Sequence, residues 1–172
     1  MEAPETYTAV NETGCCAIPE VGAWDRQVVH FHDKRFIRMH TRSLFFVPMN
    51  MTQVMTQIQQ RAEAAGASMP EREAMILSRD LSPFRAEHLY AVTRPVPGAD
   101  NVTLSGDFAT RVFEGPYRQA KTWHDQILAY AIEIGRTPSD VYFFYTTCPT
   151  CAKHYGKNYV VALARLEEPD AG

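Results

Sequence analysis

Twice along this chain an amphipathic helical stripe stops at a glycine and gives way to two strand-like runs. The first stripe is Met51, Val54, Met55, Ile58, Ala62 and Ala65, ended by Gly66. The second is Ala120, Trp123, Ile127, Tyr130, Ala131 and Ile134, ended by Gly135. Spacing of the i, i+3, i+4, i+7 kind puts each set on one helix face, and glycine supplies the left-handed conformation that terminates a helix. Asn50 is placed to cap the first helix, with Gln53 three residues on. A helix with a single apolar face must bury it, and the neighbouring strands offer the surface.

Around each stripe the strand-like runs follow one plan. In the first half, 28–31 and 36–45 read as two strands across a tight turn at Asp33-Lys34, and Arg38, His40 and Arg42 share a face of the second. After the helix come strands at 75–79 and 88–93, parted by a Ser82-Pro83 loop. In the second half, 102–104 and 108–113 flank a turn at Gly106-Asp107, and strands at 141–147 and 159–166 follow the helix. AMILSRDLSPFRAEHLYAVTR lies against VYFFYTTCPTCAKHYGKNYVVALAR, and the last strands end in Arg94 and Arg165. The expected fold is α+β, a duplicated β-α-β-β antiparallel sheet with both helices on one face. Its opposite, twisted face would form a groove between the repeats. The expected boundaries are an extended arm over 1–26, one domain over 27–168 made of repeats 27–97 and 98–168, and a tail over 169–172.

Composition supports a single domain with its own core: 172 residues, 45% hydrophobic and 22% charged. The net charge of −3 argues against a nucleic-acid partner, which calls for a clustered Lys/Arg excess. No apolar run approaches the roughly 20 residues that span a bilayer, so no membrane partner is expected. The start, MEAPETYTAVNETG, has neither a basic end nor an apolar stretch, so no secretory signal is read and a cytoplasmic location is expected. The expected partners are a small organic molecule and, at most, a second copy, as monomer or homodimer.

Four cysteines fall in two pairs, Cys15-Cys16 on the arm and Cys148-Pro149-Thr150-Cys151 near the end. Such pairs bind metal, do redox chemistry or are plain buried thiols. Two cysteines on one tight turn offer half of a tetrahedral zinc shell, and Cys15 and Cys16 would supply the other half. His154, three residues on, is a further candidate ligand. A thioredoxin-type motif opens a helix, whereas this one is expected as a turn between a strand and the connector AKHYGKN. The favoured reading is a structural zinc clasp between arm and second half, with redox chemistry and free thiols as the alternatives.

SGDFATRVFEGPYRQAKTWHDQILAYAIEIG resembles the signature of the GyrI-like small-molecule-binding superfamily: a strand, then Gly115-Pro116-Tyr117, then an amphipathic helix. NETGCC, Trp24-Asp25 and YTTCPTCAKHYGKNYVV are similar to a bacterial branch whose members are labelled loosely as hydrolases. The resemblance implies the two-repeat fold and a site for planar or amphipathic organic compounds. Related proteins serve as effector-binding domains of multidrug-responsive regulators, as a gyrase inhibitor, and as hydrolases of cyclopropane-bearing toxins. The lack of a helix-turn-helix segment ahead of the domain sets this chain apart from the regulators, and the cysteine pairs set it apart from the superfamily in general.

Glu114, at a strand end just before Gly115-Pro116, is the carboxylate singled out for acid–base work or for pairing with a cationic ligand. Tyr117, Trp123, Tyr142 and Tyr145 are the candidate aromatic walls, and Tyr145 carries a phenol able to orient a ligand or donate a proton. Trp123 also sits on the helical stripe, where the core claims it first. There is no H-E-x-x-H, G-x-S-x-G, P-loop or G-x-G-x-x-G, so catalytic zinc, serine hydrolase, nucleotide and dinucleotide chemistries fall away. Two functions remain: a stand-alone module that binds a small aromatic or amphipathic compound, and a small hydrolase that uses Glu114 with Tyr145.

Overall fold

A computed structural model describes residues 1–170, so 171 and 172 of the expected tail lie outside the described residues. The described residues form seven strands and four α-helices. In chain order these are α1 (Val21–Trp24), β1 (Gln27–Leu44), β2 (Val47–Pro48), α2 (Met51–Ala64), β3 (Ile76–Ser82) and β4 (Arg85–Ala91). Then follow β5 (Asp100–Glu114), α3 (Ala120–Glu133), β6 (Pro138–Tyr145), α4 (Pro149–Tyr155) and β7 (Tyr159–Leu166). Two compact units result: Asp33–Leu104, and Met1–His32 together with the chain from Ser105 onward.

Within Asp33–Leu104, β4 lies between β1 and β3 and runs antiparallel to both. β1 and β3, on either side of β4, therefore point the same way, and α2 makes the crossover that returns the chain between them. Ile58 and Ala62 of α2 bury against Ile37 of β1, with Ala67, Val92 and Val96 closing the cluster. In the other unit, β7 lies antiparallel between β5 and β6, and α3 makes the crossover. Trp123, Ile127, Tyr130 and Ala131 pack on Ala109 and Phe113 of β5, Val141 of β6, and Val160, Ala162, Ala164 and Leu166 of β7. First–third–second strand order with one helix on one sheet face occurs in both units. The α+β, duplicated β-α-β-β fold read from the sequence is the fold observed.

The helix ends repeat as well. Ala67 N–H donates to Ala62 O and Gly66 N–H to Glu63 O, while Arg136 N–H donates to Ala131 O and Gly135 N–H to Ile132 O. Gly66 and Gly135 have φ of 62° and 77°. This is the paired 6→1 and 5→2 bonding of a glycine-closed helix, met twice.

Five local expectations are corrected. The Asp33-Lys34 turn does not form: β1 is one strand of 18 residues, and Asp33 takes a φ of 47° inside it. Gly106-Asp107 likewise does not reverse the chain, because β5 runs through it for 15 residues, with Gly106 at φ 115°. Asn50 makes no side-chain cap bond; its Oδ1 accepts from Arg42 N–H at 2.8 Å. The arm is not extended but doubles back, with Thr8 N–H donating to Ile18 O and Ile18 N–H to Val10 O. The Cys148–Cys151 segment is not a turn: Cys148 is the N-cap of α4, Pro149 opens the helix, and Gly156 closes it at φ 71°.

Candidate metal centre

The doubled arm carries Gly14, Cys15 and Cys16 at its tip. Gly14 takes a φ of 71°, and the Thr13 hydroxyl accepts from Cys15 N–H at 3.2 Å and Cys16 N–H at 3.3 Å. A Thr oxygen that gathers two successive N–H groups fixes a tight turn, and this one aims both neighbouring thiols at α4. On the other side, Pro149 presets the first turn of α4, which sets Cys148 and Cys151 about one turn apart.

The four Sγ atoms of Cys15, Cys16, Cys148 and Cys151 lie within 4.8 Å of one another. Cys15 and Cys16 Sγ are 3.7 Å apart. Sulfurs around tetrahedral zinc stand about 3.8 Å apart, given a Zn–S bond of about 2.3 Å. A disulfide needs about 2.05 Å, which the 3.7 Å pair exceeds. The set grades from exposed Cys15, through half-buried Cys16 and Cys148, to buried Cys151. It is thus a closed cluster with one edge toward water.

The thiols differ electrostatically. Burial pushes the Cys16 thiol up to about 12. The hydrogen bond with the Thr13 hydroxyl, 3.3 Å away, holds Cys151 down at about 7. A cation among them would favour all four thiolates, and thiolates are the form that binds zinc.

A shell of polar contacts ties the arm to α4 beside the sulfurs. The Tyr155 hydroxyl donates to Cys16 O at 2.8 Å and accepts from Glu12 N–H at 3.1 Å. His154 Nε2 pairs with Glu12 Oε2 at 3.0 Å, so this candidate ligand holds the arm and is not one of the four sulfur sites. Tyr7 donates to Thr146 O at 2.6 Å and meets Phe144 edge-on at 5.9 Å. Thr13, Tyr7, Tyr155 and Glu12 were not singled out from the sequence, because nothing local marks a contact made across more than a hundred residues.

The other candidate residues divide between the sheet's two faces. Phe113 faces α3, so by alternation Glu114 faces the opposite way. Glu114 is exposed and pairs with Lys157 at 3.0 Å. Tyr142 is buried, and alternation puts it on the side away from Val141 and α3. Tyr145 stacks on Phe143, which packs on the α3 side, and meets Tyr117 edge-on at 5.1 Å. Trp123 is buried against Phe113 at 5.8 Å, as a core residue. Tyr117 donates to Thr147 O at 3.4 Å, and burial pushes its phenol up, with Cys148 and Cys16 adding to the effect. The Tyr117–Tyr145 pair therefore borders the cysteine cluster, whereas Glu114 stands at the same strand ends on the other face.

A family model described as "Bacterial hydrolase" matches residues 6–166. That span takes in the arm from residue 6, both cysteine pairs and all seven strands. Among solved structures, SAV2435 bound to tetraphenylphosphonium aligns with a TM-score of 0.49 and 10% identity, covering 82% of this chain and 93% of that one. No curated protein matches the sequence.

Proposed function

The chain belongs to the Bacterial hydrolase family, and from that premise we propose that it is a small-molecule protein built around a structural zinc centre of Cys15, Cys16, Cys148 and Cys151. The observation that carries the reading is the convergence of the four Sγ atoms within 4.8 Å. Zinc is the cation the donor set favours, because four thiolates in tetrahedral array suit it. Four protein ligands also leave no position for a water, so the metal's part is to hold the arm on α4 and not to activate a nucleophile.

Metal analysis of protein purified under reducing conditions tests this. One zinc per chain is expected, and Cys148→Ser with Cys151→Ser should remove it. Four freely titrating thiols with no stoichiometric metal would sink the reading, as would two disulfides.

A second reading concerns the activity that the family's description names. The exposed, edge-to-face Tyr117–Tyr145 pair favours it, being an aromatic surface suited to a small aromatic or amphipathic compound. Glu114, paired with Lys157, stands on the other sheet face from these rings, so the Tyr145 phenol beside them is the candidate proton donor. Turnover of activated esters or strained-ring electrophiles, lost in Tyr145→Phe and weakened in substrate binding by Tyr117→Ala, supports it. Unchanged turnover in Tyr145→Phe removes Tyr145 from that role.

A further inference from the structure

The β1–β2 hairpin turns on two phenylalanines. Phe45 and Phe46 have φ of 48° and 69°, and the flanking pair Leu44↔Val47 closes a two-residue loop. A loop with both central residues at positive φ calls for Asn-Gly, and bulky side chains there are strained. Yet the rings gain little burial in return: Phe45 is 70% exposed and Phe46 55%. Two aromatic rings are held in water on a backbone that disfavours them, so the fold of this unit does not explain them.

The turn is not a loose loop. Ser43 N–H donates to Phe84 O and Phe46 N–H to Pro83 O, both at 2.8 Å, which fastens it to the β3–β4 turn. Phe84 meets Phe45 at 5.8 Å. Leu44, Val47, Met49, Leu81 and Phe84 are also exposed, so one ordered apolar tip is presented. Contiguous apolar surface of this kind marks an interaction site.

The charge at its base says what kind. Arg42 and Arg85 are opposite each other in the β1–β4 register, and Arg38 and Arg79 continue the same strand face. Against these four guanidinium groups stand Glu87 and Asp100. Glu87 is taken up by Arg38 and Arg79, and Asp100 by Arg38 at 2.8 Å. The tip-proximal pair, Arg42 and Arg85, therefore gives this face an excess of positive charge. Docking of a second copy would bring two such arginine pairs together, and like charges across an interface are costly.

We propose that the Phe45–Phe46 hairpin tip is a peripheral docking surface for an anionic lipid bilayer. The rings enter the headgroup–acyl boundary, and Arg42 and Arg85 meet the lipid phosphates. No spanning segment is needed: among the described residues no helix is long and apolar enough to cross a membrane, and this mode lies on the surface.

Vesicle flotation of the full chain tests it, using phosphatidylcholine vesicles with and without phosphatidylglycerol. Wild type should float with the anionic vesicles on the order of tenfold better than with neutral ones, and less at high salt. Arg42→Gln with Arg85→Gln should abolish that preference. Phe45→Asn with Phe46→Gly supplies the turn residues that the backbone asks for, so it should keep or raise Tm while losing flotation. Flotation unchanged in that variant, or no flotation of wild type with anionic vesicles, overturns the proposal. So does sedimentation of wild type as a dimer that this variant converts to monomer, because the tip would then belong to a second copy.

Discussion

His88 shows at the scale of one residue how this core handles a polar group. It is buried, with Ser78 Oγ 2.7 Å from Nδ1 and Thr41 Oγ1 2.8 Å from Nε2. Hydroxyls donate and accept, so a neutral ring satisfies both contacts. Burial, with a contribution from His40, pulls its pKa down from 6.5 to about 4. The folded value lies below the unfolded one, so this contribution to stability is complete above about pH 6.5. It is lost as pH falls toward 4, by roughly 3 kcal/mol at the end of that window. Unfolding wild type and His88→Gln in urea from pH 7 to 4 measures it. The variant should show the shallower fall, and parallel profiles would contradict the account. Nothing in the sequence marks this histidine, because its partners come from two other strands. The four cysteines were legible as ligand types for the opposite reason, since thiols in close pairs are few and chemically distinct.

At the scale of elements, the two long helices were readable because fourteen residues suffice for a 3.6-residue period to declare itself. α4 was not, since seven residues are too few for a stripe. Its punctuation was nonetheless present: Pro149 in the first turn and Gly156 just past the end are the start and stop signals of a helix. β1 and β5 were each read as two strands, because Asp33-Lys34 and Gly106-Asp107 have turn chemistry. Each strand nonetheless runs on past its turn pair, with a local positive φ at Asp33 and at Gly106. Gly115, between β5 and α3, is a tighter case. Its φ is 140°, and a Cβ there would stand 2.7 Å from Gln119 Oε1 and 3.7 Å from the Trp123 ring. Gly115→Ala should therefore cost about 2–3 kcal/mol, mostly as backbone strain, read as a lower urea midpoint with an unchanged slope. Gln119→Ala in the same background should return little of it; a full return would place the cost in the contact with Gln119.

At the scale of the whole molecule, the cysteine centre joins chain segments near opposite ends. A metal link of that span, as proposed above, would restrict the unfolded chain by about 4–5 kcal/mol on the loop-entropy scale for a long closed loop. On that proposal a chelator should lower Tm by on the order of 10 °C, since each kcal/mol shifts a chain of this size by about 2–4 °C. It should also open the arm near Thr8–Ile18 to protease before the β5–β7 sheet is cut. A chelated protein whose arm stays protected would show that Tyr7, Tyr155 and Glu12 hold it without metal.

What the sequence by itself determined is the repeated plan: two amphipathic helices, two glycine stops, and α+β character. These follow from periodicity and backbone preference, which are local and act wherever such residues occur. It also placed the four cysteines in two close pairs, the residue type and spacing from which a metal site can be built. Only the tertiary structure decided that all four converge, that the arm doubles back to bring Cys15 and Cys16 there, and that Glu114 and Tyr145 lie on opposite sheet faces. Convergence and facing depend on strand register, and register is set by pairing between segments far apart in the chain, where a one-residue shift reverses every side chain.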